Sequence, residues 1–159
     1  MPNARILITG SREFGRTSDD ATLMYNALIQ TGNLLRAQGA DTITVIHGDA
    51  RGADKLSDTL ASNLGYNVEH HPANWNLHGK RAGMIRNEHM VNLGANVVLA
   101  FPVGESRGTR HCMTAARRAY LPVVDVTGGK LDFFLKRQYA ELERNTRSQS
   151  PQQQQQFGF

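Results

Sequence analysis

Apolar residues along this chain gather in five short runs, which lie near residues 5–9, 42–47, 66–70, 96–100 and 122–126. Each run has the length of a β-strand. After Asn96 the fourth run is apolar at every position as far as Ala100. This pattern is typical of a strand that is buried on both faces of a parallel sheet. The sequence therefore predicts five strands, or slightly more, in one sheet.

The stretches between these runs have helical character. Leu56, Leu60 and Leu64 recur every four residues, which marks the buried face of a helix. Gly39 and Gly94 follow two of the stretches as helix stops. The predicted helices cover about 18–38, 53–64, 81–93, 109–121 and 131–144. Strands that alternate with helices indicate an α/β fold with a doubly wound, mostly parallel sheet and helices on both faces.

The chain of 159 residues suits one domain over residues 1–144 and a glutamine-rich tail over 145–159. The tail has little to bury, so we expect it to be disordered. No apolar run is long enough to cross a membrane or to form a signal peptide, and Cys112 is the single cysteine. These features exclude an intramolecular disulfide and predict a cytoplasmic protein without a membrane partner.

Basic residues are concentrated in particular places. The 18 Lys and Arg residues against 14 Asp and Glu residues give a net charge of +4, which favours anionic partners. Eight of the 18 lie in or beside loops that follow predicted strands, namely Arg12, Arg16, Arg51, Lys80, Arg81, Arg86, Arg107 and Arg110. The carboxyl ends of parallel strands meet at one edge of a sheet. We therefore expect a compact anion site at that edge.

Two of these loops follow the first and second strands. They combine glycines, which let the backbone approach a ligand, with hydroxyl and ionisable side chains. Neither contains the full G-x-G-x-x-G pattern, and no P-loop motif occurs in the chain. Asp54 is equally well explained as a helix cap, whereas we favour a ligand or network role for Asp49. The candidate ligand-binding residues here are Gly10, Ser11, Arg12, His47, Gly48, Asp49, Arg51, Gly52 and Asp54.

The stretch from the loop before the third predicted helix into that helix, and the loop after the fourth strand, supply the other candidates. Trp75 either stacks on a base or covers the core, and Arg86 can bind phosphate through two hydrogen bonds. Gly108 would let the backbone approach a phosphate, and Thr109 would cap the next helix. The alternative for Arg86 is an ion pair with Glu88 or Asp49. The candidates in this half are Trp75, Lys80, Arg86, Asn87, Gly104, Ser106, Gly108 and Thr109.

Metal binding is not predicted. The chain has six histidines and one cysteine, but no C-x-x-C or H-E-x-x-H motif brings them together. We expect neither a metal nor a cofactor.

Five motifs in order resemble the YspA-like branch of the SLOG superfamily. The motifs are Gly10-Ser11-Arg12-x-Phe14, His47-Gly48-x-Ala50-x-Gly52-Ala53-Asp54, His71-Pro72-Ala73-x-Trp75, Gly79-Lys80-x-Ala82-Gly83-x-x-Arg86-Asn87-x-x-Met90, and Ala100-Phe101-x-x-Gly104-x-Ser106-x-Gly108-Thr109-x-His111. The resemblance spans about residues 5–126. It implies a Rossmann-like fold that binds nucleotides or ligands derived from them. That superfamily includes cytokinin-activating phosphoribohydrolases and the DNA-processing protein DprA.

The phosphoribohydrolases use an arginine in an R-K-x-x-M-like helix and a glutamate in P-G-G-x-G-T-x-x-E. The stretch from Arg86 to Met90 is similar to the first motif, with Asn87 in place of the lysine. Cys112 stands where the second motif has its glutamate. The resemblance therefore implies the phosphate-binding half of such a site, while its catalytic half is incomplete. The remaining catalytic candidates are Asp49, Glu105 and His111.

The leading expectation is a protein that binds a nucleoside phosphate or an ADP-ribose-like signal, either to sense the ligand or to sequester it. One alternative is a nucleotide hydrolase that cleaves the N-glycosidic bond. A third is binding of single-stranded nucleic acid, which is not favoured because the basic residues cluster around one pocket. The resemblance also implies a homo-oligomer.

Overall fold

The computed structural model describes residues 2–148. Its strands are β1 (Asn3–Gly10), β2 (Thr42–His47), β3 (Asn67–His70), β4 (Val97–Phe101) and β5 (Val123–Asp125). Its helices are α1 (Ser18–Ala37), α2 (Ala53–Asn63), α3 (Trp75–His78), α4 (Ala82–Leu93), α5 (Arg107–Arg118) and α6 (Leu131–Arg147). A 3₁₀ turn over Gly79–Arg81 joins α3 to α4. Each predicted strand agrees with an observed one to within two residues at either end.

The five strands form one parallel sheet in the order β3-β2-β1-β4-β5. The central strand β1 pairs with β2 on one side and with β4 on the other, so that Ile6 lies opposite both Val45 and Val97. From β1 the chain first moves outward through β2 and β3, and it then crosses back to β4. The α/β fold with a doubly wound sheet is confirmed, and every pairing in it is parallel.

Helices cover both faces of the sheet. On one face Ile6, Ile8 and Leu99 pack in a cluster with residues of α1, α2 and α6. On the other face Leu7 and Val98 pack with residues of α4 and α5. Successive residues of a strand point to opposite faces, so a strand between two helical layers must be apolar throughout. This is why β4 is apolar at every position and why Ile6, Leu7 and Ile8 follow one another in β1.

Three predictions about local structure are wrong. The predicted loop before α4 contains α3 and the 3₁₀ turn. The helix predicted over 109–121 is α5, which begins at Arg107 with Ser106 at its N-cap position, so Thr109 lies within the first turn and is buried rather than being the cap. Finally, α6 continues to Arg147, so residues 145–147 of the predicted tail are helical. Residues 149–159 of that tail lie outside the described residues.

Among the described helices, none has the length and apolar character needed to cross a bilayer.

Helix α5 ends in a Schellman motif that places a tyrosine in an unfavourable conformation. The Leu121 N–H donates to the Ala116 carbonyl and the Tyr120 N–H to the Arg117 carbonyl, both at 3.0 Å. Tyr120 consequently has φ 61°, which is a left-handed conformation. The residue is 94% exposed, so packing of its side chain does not offset the strain. Helix α2 ends in the same way, but there the left-handed position is occupied by Gly65 with φ 78°.

We expect Tyr120→Gly to raise the free energy of unfolding by on the order of 1 kcal/mol, because glycine adopts this conformation without strain. The matched change Gly65→Ala should lower it by a similar amount, since a Cβ there meets nothing within 4 Å and only the backbone is strained. Urea unfolding of both variants measures the effect. A loss of stability in Tyr120→Gly would contradict this account.

A charge network joins β1 to the carboxyl end of β3. The Arg5 guanidinium donates to both carboxylate oxygens of Glu69, at 3.2 and 3.0 Å, and His71 Nε2 lies 2.7 Å from Glu69 Oε2. These hydrogen bonds, that of Arg5 first, lower the pKa of Glu69 from 4.5 to about 2. Arg5 also donates to the Gly94 carbonyl at 3.0 Å, so it joins β1 to β3 and to the turn before β4.

Because folding lowers the pKa of Glu69, its contribution to stability is complete above about pH 4.5 and is lost as the pH falls toward 2. The Glu69 side chain is 36% exposed, so solvent screening limits this contribution to on the order of 1 kcal/mol. We expect Glu69→Gln to destabilise the protein at pH 7, with a difference from the wild type that shrinks between pH 4.5 and 2. Urea unfolding across this range measures it, and a difference independent of pH would exclude the ion pair as its cause.

Candidate functional site

A cavity of about 370 Å³ opens where β1 and β4 end. The connections from these neighbouring strands leave the sheet in opposite directions, which is the position where ligands bind in open α/β sheets. Its wall is formed by the loop after β1, by the loop after β2, by α3 and α4, and by the first turn of α5.

The loop after β1 is fixed by backbone hydrogen bonds to two other elements. The Ser11 N–H donates to the Phe101 carbonyl at 3.0 Å, and the Ser11 carbonyl accepts from the Ala53 N–H at 3.2 Å. Gly52 lies against this loop with φ 82°, and a Cβ on it would fall within 2.5 Å of the Ser11 carbonyl oxygen. The two loops can therefore interlock only because residue 52 has no side chain.

The buried carboxylate of Asp54 holds the loop after β2 in place by accepting hydrogen bonds from its backbone. Its Oδ2 accepts hydrogen bonds from the Gly48 and Ala50 N–H groups, at 3.1 and 3.2 Å. Asp54 is therefore a brace for the preceding loop rather than a helix cap. It is buried and lines the cavity, and this burial raises its pKa although the hydrogen bonds and nearby cations act in the opposite direction.

His47 ends β2 and Asp49 lies within that loop, but neither side chain lines the cavity. His47 is fully buried, with Nε2 2.9 Å from Asp58 Oδ2 and with Nδ1 accepting the Asp49 N–H at 2.9 Å. Both ring nitrogens therefore have partners within the protein. The Asp49 carboxylate binds Lys55 Nζ at 2.6 Å, which lowers the pKa of Asp49.

Helix α4 presents Arg86 and Asn87 to the cavity. The Arg86 Nη1 donates to the Gly48 carbonyl, and its Nε donates to Asn87 Oδ1 at 2.9 Å. Asn87 in turn donates from Nδ2 to the Gly108 carbonyl at 3.1 Å. Burial lowers the pKa of the half-buried Arg86, against the opposing charge of Asp54. Across residues 2–148, Arg86 forms no ion pair with Glu88 or Asp49, so the alternative prediction for it is wrong.

The first turn of α5 faces the same cavity without a side-chain cap. The Ser106 hydroxyl, which would be the expected cap, instead accepts the Val103 N–H at 2.9 Å. Gly108 lines the cavity, and a Cβ added there would meet nothing within 4 Å. The structure thus brings Arg86 together with Gly108 and Thr109 around one space, and the helix dipole adds positive charge there.

Cations outnumber acids around this space. Arg12, Lys80, Arg86 and Arg107 all line it, whereas Asp54 is the one carboxylate among its lining residues. Nowhere in the described part of the chain does Arg12 find a hydrogen bond or an ion pair. Trp75, at 51% exposure, also lines the cavity rather than covering the core.

Several predicted residues lie outside this cavity. Arg51 and Glu105 are exposed and pair with Glu13 and Arg107, respectively. His111 packs 3.4 Å from Asn87 Nδ2, and the Gly104 carbonyl accepts from Arg110 at 3.0 Å. The three catalytic candidates Asp49, Glu105 and His111 are thus absent from the cavity wall. The predicted residues that do form the wall are Gly10, Ser11, Arg12, Asp54, Trp75, Lys80, Arg86, Asn87, Ser106, Gly108 and Thr109.

Several lining residues were not among the predicted site residues. Gly83 and Met90 share the face of α4 with Arg86 and Asn87, since they lie three or four positions away. That spacing could have identified both residues from the sequence. Arg107 was counted among the clustered basic residues but was not predicted to line the site. Met84, which is half-exposed, belongs to no sequence pattern that would have identified it.

Cys112 stands behind the cavity and is fully buried. Burial raises the pKa of its thiol to about 11, so the thiol is protonated at neutral pH. A buried neutral thiol cannot perform the acid–base work of a glutamate at that position. Among residues 2–148, no group of three or more histidine, cysteine or acidic side chains is arranged to hold a metal ion.

Comparison with known proteins agrees with this architecture. The model of the YspA, cpYpsA-related SLOG family matches residues 4–78, which include β1, β2, β3 and the loops after them. The chain is also similar to Gene 61 protein of Mycobacterium phage D29, with 46% identity over 126 residues. That alignment covers 76% of this chain and 94% of the phage protein. With the parallel sheet in the order 3-2-1-4-5, these matches establish that the chain belongs to the YspA, cpYpsA-related SLOG family.

Proposed function

We propose that the cavity binds a nucleotide, or a ligand derived from one, through its phosphate. The observation that carries this proposal is the convergence of four cations and the uncapped first turn of α5 on a space whose one acid, Asp54, is already hydrogen-bonded to the loop after β2. Such an arrangement favours a phosphate over a neutral or cationic ligand. Family membership points to the same class of ligand.

The phosphate would lie between Arg86 and the first turn of α5. The Arg86 guanidinium is held there by the Gly48 carbonyl and by Asn87. The side chains of Ile8, Trp75, Met84 and Met90 supply apolar surface in the same cavity. A base could stack on the indole ring while its phosphate meets the cations.

Binding is favoured over catalysis because Cys112 is buried and protonated where a phosphoribohydrolase has its glutamate. We therefore propose that the protein senses or sequesters its ligand. Hydrolysis of the N-glycosidic bond is the second candidate, and Asp54 is the observation that favours it. Its carboxylate lines the cavity, and within residues 2–148 both hydrogen bonds that it accepts end on Oδ2. Chromatographic detection of free base from nucleoside monophosphates would establish that second function.

We expect Arg86→Ala to weaken binding of a nucleoside monophosphate by roughly tenfold to a hundredfold, because a charge-assisted hydrogen bond contributes about 1.5–3 kcal/mol. Calorimetry against a panel of nucleoside phosphates measures this loss. The fluorescence of Trp75, which is the single tryptophan and lines the cavity, provides a second readout. Arg118→Ala removes an exposed arginine at the far end of α5 and should leave the affinity unchanged.

The melting temperature separates ligand binding from structural support. Full affinity in Arg86→Ala together with a lowered melting temperature would mean that Arg86 only steadies the loop after β2. Absence of binding across the panel by the folded wild-type protein would refute the proposed function itself.

We expect Gly108→Val to weaken phosphate binding at least as much as Arg86→Ala does. The added side chain meets no protein atom at its Cβ and instead extends into the space proposed for the phosphate. The backbone of Gly108 is not in the left-handed conformation, so valine is accommodated there without strain. The melting temperature of Gly108→Val should therefore differ little from that of the wild type. Gly108→Ala should give an intermediate affinity. Equal affinities of the wild type, Gly108→Ala and Gly108→Val would contradict the proposed position of the phosphate beside Gly108.

A further inference from the structure

Residues 72–78, which comprise a short loop and α3, contribute almost nothing to the core, and we call them the α3 segment. Every residue from Asn74 to His78 is exposed. Among the described α-helices, α3 is the one without a buried residue. Its large apolar side chains remain largely in water, with Trp75 51% and Leu77 71% exposed. Few buried apolar contacts therefore hold the segment, so it can leave its position while the core stays folded.

Open space adjoins the α3 segment on several sides. Trp75 lines the cavity of the candidate site, and a second cavity, of about 340 Å³, adjoins Pro72 and Trp75. A third cavity, of about 420 Å³, adjoins Pro72, Asn74 and His78. Arg86 lines all three cavities. Atoms that border a cavity have no packing partner on that side, so the segment has room to move toward Arg86.

The α3 segment is held together by its own hydrogen bonds. The Leu77 N–H donates to the Asn74 side chain at 3.0 Å, and the His78 N–H donates to the Asn74 carbonyl at 2.9 Å. Across residues 2–148, no side chain of the segment forms an ion pair or a hydrogen bond with another element. The segment can therefore move as one body without breaking a polar side-chain contact.

Gly79 has the properties of a hinge for this movement. Its φ of 59° and ψ of −137° belong to a region that residues with a side chain rarely adopt. A Cβ added to it would meet nothing within 4 Å, so backbone conformation, and not packing, requires glycine there. The chain is fixed beyond both ends of the segment, by the hydrogen bond from the His71 N–H to the His47 carbonyl and by the buried Ala82. Backbone movements concentrate at a few such residues at the ends of elements.

We propose that the α3 segment is a lid, which turns about Gly79 toward Arg86 and brings Trp75 over the bound ligand. Closure removes the half-exposed indole ring from water. It also separates the ligand from solvent, which strengthens the electrostatic contacts of the ligand with the cations of the cavity. This inference rests on the proposed function, because it assigns a closing movement to the same site.

Hydrogen exchange of the free protein tests the movement without any ligand. The N–H groups of Leu77, His78 and Gly79 are all hydrogen-bonded, so they would be protected if the segment were fixed. We expect them to exchange at least about a hundredfold faster than the N–H groups of Met90 and Val91 in α4, because the segment opens without unfolding of the core. Equal protection of the two helices would overturn the lid.

The same measurement with a nucleotide tests the closure. The probe is AMP or, where AMP does not bind, the nucleoside monophosphate that binds best in calorimetry. At saturation we expect exchange at Leu77, His78 and Gly79 to slow by at least about tenfold, although none of the three lines the cavity. Unchanged exchange at saturation would overturn the lid and leave nucleotide binding intact. Absence of binding by every nucleotide would overturn the proposed function, and the lid with it.

One variant tests the hinge. We expect Gly79→Ala to weaken nucleotide binding by roughly tenfold, because alanine shifts the backbone at the hinge and with it the position of Trp75. The melting temperature should stay near that of the wild type, since α3 has no buried residue. Wild-type affinity in Gly79→Ala would overturn the assignment of the hinge.

Gly39→Ala is the matched control. Gly39 also has a positive φ, of 111°, and a Cβ there would meet nothing within 4 Å, but it follows α1 and does not line the cavity. This variant should lower the melting temperature and leave the affinity unchanged. An equal loss of affinity in both glycine variants would overturn a specific role of Gly79. The exchange measurements use the wild-type protein, so they decide the case for the lid even where a variant folds poorly.

Discussion

The backbone of Ser11 is the point on which the rest of the site depends. Its N–H bonds to the end of β4, and its carbonyl accepts from both Phe14 and Ala53. These three hydrogen bonds tie the end of the central strand to its neighbour and to the start of α2. Gly52 permits this close approach by having no side chain. Arg12 follows directly, so the position of its guanidinium is set by a segment that has little freedom to move.

Prediction from the sequence succeeded where burial dictates the pattern. A strand between two layers of helices is apolar on both sides, so β4 was visible as a continuous apolar run. The site was predicted to the extent that topology alone assembles it, since loops after parallel strands meet at one edge. Arg86 and Gly108, which are 22 positions apart in the chain, were placed together on this ground and do line one cavity.

The errors arose where a side chain has two plausible partners. Ser106 and Thr109 can both cap a helix, and the choice was decided by the bond of Ser106 to Val103, which the sequence does not reveal. The same explanation applies to His47. It was predicted to contact a ligand because it stands at a strand end beside a glycine, but both of its ring nitrogens already have partners, Asp58 and the Asp49 N–H. Spacing shows which residues are near a site, but not which of them are already bonded.

Two of the arginines that line the cavity, Arg86 and Arg12, differ in how firmly their side chains are held. The Arg86 guanidinium is fixed in advance by the Gly48 carbonyl and by Asn87, so little rotamer freedom is left for it to lose. Within the described residues nothing fixes the guanidinium of Arg12, and ordering a long side chain costs up to about 2 kcal/mol. In the anion binding that we propose, Arg86 therefore offers a guanidinium that is already ordered. Arg12 has to become ordered when the anion binds, so we expect its net contribution to affinity to be the smaller of the two.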